Sequence, residues 1–448
     1  MQDLTEGSIP RHLLKLAAPI GVGMLFQTLY YLVDLYFVAR LGEAAVAGVS
    51  AAGNVQFIVM ALTQVLGVGT MALIAQASGR KDREDTNLVF NQSLLLALVC
   101  ALVTLVAGYG FSGAYVATLG ADAATVQAGT EYLHWFLPGL ALQFGLVAMG
   151  SALRGMGVAK PTMLLQMLTV VVNAILSPIL IAGWGTGRPL GVVGAALGTT
   201  VSITLGVVLL SLYFLRVEKH LSVQPGMLAP RFETWRRILR IGLPSGGEFA
   251  LLFLYLGVVY WILRDFGSEA QAGFGIGSRV MQAVFLPAMA IAFATAPVAG
   301  QNFGAGLGDR VRETLRSAAL IGSVLMLLVT LLCQWRPEWL VSFFTADPGV
   351  IAIGSEYLSI ISWNFVATGL VFTSSGVFQA LGNTVPPLLC SASRIVTFAL
   401  PGLWLSGRSG FSLRQLWILS VVTVAFQALL SLSLLRLEMR RRFRPAER

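Results

Sequence analysis

The sequence is poor in charge, histidine and cysteine. Of its 448 residues only 11% are Asp, Glu, Lys or Arg, against about 25% in soluble domains. A water-soluble globule of this length could not hide 56% hydrophobic residues, because its surface-to-volume ratio leaves too many of them outside. The three histidines, His12, His134 and His220, stand far apart, which argues against a metal cluster. The three cysteines, Cys100, Cys333 and Cys390, lie in apolar stretches without paired spacing. They read as small packing residues rather than as a disulfide framework or zinc site. No Walker A loop is present, so ATP hydrolysis is not expected of this chain. Gly273, Gly275 and Gly277 alternate within an apolar run and read as close helix packing rather than a nucleotide loop. The first twenty residues carry acids and no small-residue cleavage site, so a cleaved leader is not expected and the first span should stay as an anchor.

Long apolar runs are what the sequence does have. Mean hydropathy is +0.78. Twelve runs are long enough to cross a bilayer as helices, at residues 13–38, 44–77, 88–110, 130–152, 162–183, 192–215, 237–263, 272–300, 315–335, 355–379, 385–405 and 412–436. The alternating segments between them hold 22 Lys and Arg on the side of the N-terminus and 7 on the other, with Arg394 inside a span. That bias supports the span count and predicts both termini in the cytoplasm of a cell inner membrane. It also accounts for the net charge of +9, which reads as contact with lipid headgroups rather than with nucleic acid.

The chain is duplicated. Shifting it by 225 residues aligns Pro19 with Pro244, Gly42 with Gly267, Gly48 with Gly273, Gln76 with Gln301, and Gly157 and Pro161 with Gly382 and Pro386. The same shift superposes Glu131-Tyr132-Leu133 on Glu356-Tyr357-Leu358. Six spans per repeat is an even number, so the repeats are parallel and related by an axis along the membrane normal. The expected fold class is all-α and integral to the membrane: twelve helices in two pseudo-twofold-related six-helix lobes around a central cavity. The expected organisation is an N-lobe at 1–215, a cytoplasmic linker at 216–236, a C-lobe at 237–436 and a basic tail at 437–448.

Ionisable residues inside spans carry the functional signal, since each costs several kcal/mol unless paired or hydrated. Two acids lie well inside, Asp34 in span 1 and Glu248 in span 7. Asp34 follows Gln27 by two helical turns on one face, with Tyr30 and Tyr31 nearby. It reads as a proton or sodium site facing a cavity, or else as a structural carboxylate. Asn173 and Thr199 or Thr200 could complete a polar cluster with it. Glu248 reads as a second coupling or substrate carboxylate, or as half of a salt bridge. Arg394 in span 11 should lie at similar depth, and Arg279 in span 8 enters from the other face. Tyr255 joins a set of aromatic and Met residues suited to an apolar drug pocket, although packing explains any single one.

The segments ALRGMGVAKPTM after span 4 and FQALGNTVPP after span 10, the VD…FVARLGEAAVAGVS run, and AQASGRKDRED after span 2 resemble the multidrug and toxic compound extrusion family along nearly the whole chain. The resemblance implies alternating access and export of cationic or amphiphilic organic compounds in exchange for H+ or Na+. It implies no further cofactor, no enzymatic activity and a monomer among membrane lipids. By that resemblance Asp34 matches the family's carboxylate in the first helix, and Gln27, Asn173 and Thr199 fall where its polar partners are found. Ser177 stands where some relatives carry a second acid, and Glu248 resembles the helix 7 acid but sits about one turn nearer the proline. The alternative is a lipid-intermediate flippase of the related superfamily. Such proteins usually have a strongly cationic cavity, for which only Arg279 and Arg394 are candidates here.

Overall fold

The computed structural model describes residues 2–119, 122–184, 187–408 and 410–443, without the side chains of Tyr31, Asp34, Leu35, Glu43, Ala44, Ala51 and Leu119. It is 87% helical. The helices are α1 Ile9–Ala39, α2 Glu43–Gly79, α3 Arg83–Leu119, α4 Ala123–Gly155, α5 Lys160–Ala182, α6 Gly191–Arg216, α7 Phe232–Leu263, α8 Ser268–Gly304, α9 Gly308–Trp335, α10 Pro337–Ser342, α11 Pro348–Ile361, α12 Phe365–Ala380, α13 Val385–Ser406 and α14 Leu413–Arg442. Among the described residues twelve helical stretches are long and apolar enough to span a membrane, α11 and α12 together making the tenth. In lipid a chain must satisfy its own backbone hydrogen bonds, which is why apolar runs of this length take the helical form.

Two features depart from the expected spans. The short helix α10 begins at Pro337, whose missing N–H costs nothing in a first turn. The tenth span is broken by a 3-10 turn at Ser362–Asn364. Side chains of α9 take up the carbonyls there: Thr330 Oγ1 donates to Ser362 O at 2.9 Å and Gln334 Nε2 to Ser359 O.

The chain forms two compact units, one of residues 1–3 and 22–242, the other of residues 4–21 and 243–448. Helices α1 and α7 are therefore each shared, and both divisions fall close to the matched prolines Pro19 and Pro244. In the first unit α4 packs on α2, α3 and α6, and α5 on α6; in the second α8 packs on α9, α11 and α12, and α13 on α14.

The duplication is visible within each unit. Gly42 and Gly267 open α2 and α8 at φ 105° and 88°, which a Cβ would disfavour. In the first unit a Cβ on Gly48 would stand 2.6 Å from the backbone nitrogen of Gly129. In the second, Gly273 meets Gly354 in the same way, at 3.2 Å. The glycines on α8 are thus packing residues: Gly273 faces Ile353 and Gly277 faces the Tyr357 ring. That ring belongs to an aromatic cluster with Phe274 and Trp417, whose planes stack at 5.7 Å. Cys333 and Cys390 are buried and all three cysteines are free thiols, as small packing residues should be.

The segment between α6 and α7 is held down by three amide side chains of α3. Asn87 Oδ1 accepts from Ser222 N and Asn91 Oδ1 from Gln224 N, each at 2.9 Å. Gln92 Nε2 donates to Met227 O and Ala229 O at 2.6 and 2.7 Å, while its Oε1 accepts from Arg231 N at 2.9 Å. A two-pronged ion pair from Arg237 to Asp85, at 2.9 and 3.0 Å, closes the clamp. The second unit secures the N-terminal segment in a related manner. Leu4 N donates to Gln301 Oε1 at 3.0 Å, Asn302 Nδ2 donates to Leu4 O at 3.1 Å, and Arg310 reaches Asn302 Oδ1 at 2.9 Å.

Candidate functional site

In the first unit the polar groups lie on α1, α5 and α6. Asn173 and Ser177 are one turn apart on α5 and fully buried, and Thr199 on α6 is 2% exposed. Asn173 Nδ2 donates to Thr199 Oγ1 at 3.3 Å. Among the described residues Asn173 Oδ1 and Ser177 Oγ have no hydrogen-bond partner. The close approach of α6 to Ser177 is made at Gly198, where a Cβ would stand 2.6 Å from Ser177 Oγ. A buried acceptor without a donor costs about 1–3 kcal/mol, so a hydrogen-bond donor or cation placed beside it would be favoured. Thr200, the alternative to Thr199, turns away and donates to Trp135 O at 2.7 Å. Gln27 on α1 is exposed and accepts weakly from Gln166 Nε2 at 3.4 Å. Tyr30 is half-buried on the same helix. Asp34 belongs to α1, but its side chain lies outside the described residues.

In the second unit Glu248 on α7 sits between α12 and α13. Its Oε2 accepts from Ser375 Oγ at 3.2 Å and its Oε1 from Ser391 Oγ at 3.5 Å. Ser391 in turn accepts from Gln427 Nε2 on α14 at 3.3 Å. The salt bridge conceived for Glu248 and Arg394 is absent: neither residue joins an ion pair among the described residues. The reason is a single helical turn. Ser391, not Arg394, is the α13 residue that faces Glu248. Arg394 lies three residues on and stacks over the Tyr255 ring at 4.3 Å. Tyr255 is fixed from two sides, by Ser420 Oγ at 3.0 Å and by the Phe398 ring at 4.9 Å. Arg279 on α8 is exposed and shares neither set of contacts.

The sequence singles out the charged residues, and Ser375 among the polar residues of span 10, but not Ser391 and Gln427. Their signal was available only as small or amide residues within spans, which is too common to choose among. No group of three or more His, Cys, Asp or Glu gathers in one place among the described residues.

A duplicated bundle of apolar helices, with isolated polar clusters inside its units, is an architecture found among membrane transporters. A family model described as MatE matches residues 19–179 and 244–405, one segment in each repeat. The chain belongs to that family of membrane transporters. It is 27% identical over 428 residues to a probable multidrug resistance protein NorM of Thermotoga maritima, covering 95% of this chain and 91% of the relative. It is 26% identical to a probable multidrug resistance protein YoeA of Bacillus subtilis, covering 89% and 87%. It is 25% identical to the multidrug export protein MepA of Staphylococcus aureus, covering 83% and 81%. A crystal structure of MATE in complex with MaL6 superposes with a TM-score of 0.91 at 25% identity over 99% of both chains.

Proposed function

We propose that the protein is a cation-coupled antiporter of an inner membrane, with both termini in the cytoplasm. It expels cationic or amphiphilic organic compounds in exchange for H+ or Na+ by alternating access. The family assignment and the names of the relatives support efflux of drug-like solutes. The observation that carries the coupling half is the buried pair Asn173–Thr199, with Asn173 Oδ1 unpartnered among the described residues, in the unit that also contains Asp34. A carboxylate with such neighbours can hold a proton, a sodium ion or a cationic solute, but not two of these at once. That competition is the physical basis of exchange. Moving one charge through ~100 mV supplies ~2.3 kcal/mol, which sustains a solute gradient of roughly 50-fold. Glu248 serves the solute's positive charge in the second unit.

Proteoliposomes holding an outward-directed gradient of a fluorescent organic cation test this. Imposed H+ or Na+ gradients should accelerate efflux, and Asp34→Asn should abolish the response. Transport indifferent to both gradients, or an Asp34→Asn variant with full coupling, defeats the proposal.

A further inference from the structure

Four helices of the second unit build two polar rungs. The lower rung contains Glu248 of α7, Ser391 of α13, Gln427 of α14 and Ser375 of α12. The upper rung contains Tyr255 of α7, Arg394 of α13 and Ser420 of α14. The rungs repeat every seven residues on both α7 and α14, which is two turns on one helix face. On α13 they are three residues apart, a rise of about 4.5 Å.

Each rung holds a charge that nothing in it neutralises. Glu248 accepts only two long hydroxyl hydrogen bonds, at 3.2 and 3.5 Å. The guanidinium of Arg394 makes no hydrogen bond among the described residues, and its buried Nε has no acceptor. Both side chains are half-buried within spans. Stacking on Tyr255 occupies one face of the guanidinium but leaves its in-plane donors free. Those donors match the two oxygens of a carboxylate. An unmatched charge at span depth costs several kcal/mol, so both positions favour a ligand of opposite sign.

We infer that the second unit binds zwitterionic amphiphiles, the cationic group at Glu248 and an oxyanion at Arg394 over Tyr255. The inference rests on the transport reading above and narrows its substrate class. The aromatic pair Tyr255–Phe398 supplies an apolar surface beside the Arg394 guanidinium. The oxyanion belongs to a soluble solute or to the phosphate of a zwitterionic lipid; the recognising chemistry is the same.

The test uses a matched pair of probes, a rhodamine with a free carboxylate and its ethyl ester, which keeps only the cation. Binding is followed by fluorescence polarisation on the purified full-length protein and transport in proteoliposomes. Arg394→Gln should weaken binding of the zwitterion about tenfold and leave the ester within about twofold. Arg394→Lys should fall between, because it keeps the charge and loses the planar fork. Glu248→Gln should weaken both probes. Ester transport by the Arg394 variants, and the thermal melt of Glu248→Gln in detergent, report that each is folded. Equal effects of Arg394→Gln on the two probes, or none on either, overturn the inference. If wild-type protein transports neither probe, the transport reading fails instead, while the binding difference still decides the site. Lysophosphatidylethanolamine separates the sources of the oxyanion. Displacement of the zwitterionic dye by it supports recognition of a lipid headgroup, and displacement only by soluble zwitterions supports a free solute.

Discussion

The two units carry different chemistry at matched positions. Gly23 and Glu248 occupy the same place in the repeat, and so do Gln166 and Ser391. In the first unit the large residue is on the fifth helix: a Cβ on Gly23 would stand 2.6 Å from Gln166 Oε1. In the second unit the small Ser391 leaves room for Glu248, which reaches its hydroxyl. Bulk has been exchanged between two helices while the packing volume is kept, the kind of change a dense interior tolerates best. One turn further along, Thr169 bonds the carbonyl of Gln166 at 2.9 Å, where Arg394 instead leaves its own helix and stacks on Tyr255. Two turns along, the buried Asn173 corresponds to Phe398. A single fold therefore places a buried amide in one unit, and an acid and a separately held arginine in the other.

The strongest way to break this comparison is to exchange the loss of charge between units. Asp34→Asn should reduce gradient-driven efflux by about 100-fold, whereas Glu248→Gln should raise the apparent KM for a cationic dye while the gradient response persists; about 2.7 kcal/mol separates the first from wild type. Efflux assays under clamped gradients that return the opposite pattern would reverse the assigned division of labour.

The exchange of bulk can be sharpened next. Gly23→Glu should destabilise the first unit by roughly 1–3 kcal/mol through overpacking, and adding Gln166→Ser should recover much of it. Thermal unfolding of the four variants in detergent measures the coupling; additive losses would mean that the two positions do not share space.

The segments that precede α7 and α1 offer a weaker contrast. Gln92→Ala leaves three backbone groups of the linker without a partner, and Asn302→Ala leaves one carbonyl of the N-terminal segment short. At about 1–3 kcal/mol for an unsatisfied buried group and less for an exposed one, the linker should become the more protease-sensitive of the two. Limited proteolysis that cuts the N-terminal segment first in both variants would contradict this.

The smallest effect concerns the matched N-caps Asp122 of α4 and Asp347 of α11. The Thr125 backbone N–H, donating to Asp122 Oδ1 at 2.7 Å, holds that carboxyl below the usual carboxylate range. A lowered folded value means that the cap contributes above the unfolded value of about 4 and is lost as pH falls through the folded value. Between pH 5 and 8 the cap's contribution should be constant, so Asp122→Ala should lower the melting temperature evenly across that window, and the difference from wild type should shrink only below about pH 4. A slope in melting temperature between pH 6 and 8 that vanishes in Asp122→Ala would contradict it.

Much of the molecule was legible in the sequence. The twelve apolar runs predict the observed spans to within a few residues at most ends, because a bilayer leaves a chain little choice but helix. The repeat matches Gly48 with Gly273, and Gly273 reads as a close-packing residue; in the structure the two meet Gly129 and Gly354 of neighbouring helices. Asn173 with Thr199 was legible too, as polar residues at span depth. The break at Ser362–Asn364 was not, because it depends on Thr330 and Gln334 of another helix accommodating the turn.

Glu248 shows where that legibility ended. The sequence by itself determined that an acid and a base lie at similar depth in an apolar bundle, because hydropathy and helical rise set depth along each span. Only the tertiary structure decided that they do not meet. Neighbours across helices depend on how each helix is rotated about its axis, and three residues on α13 turn the facing position from Arg394 to Ser391.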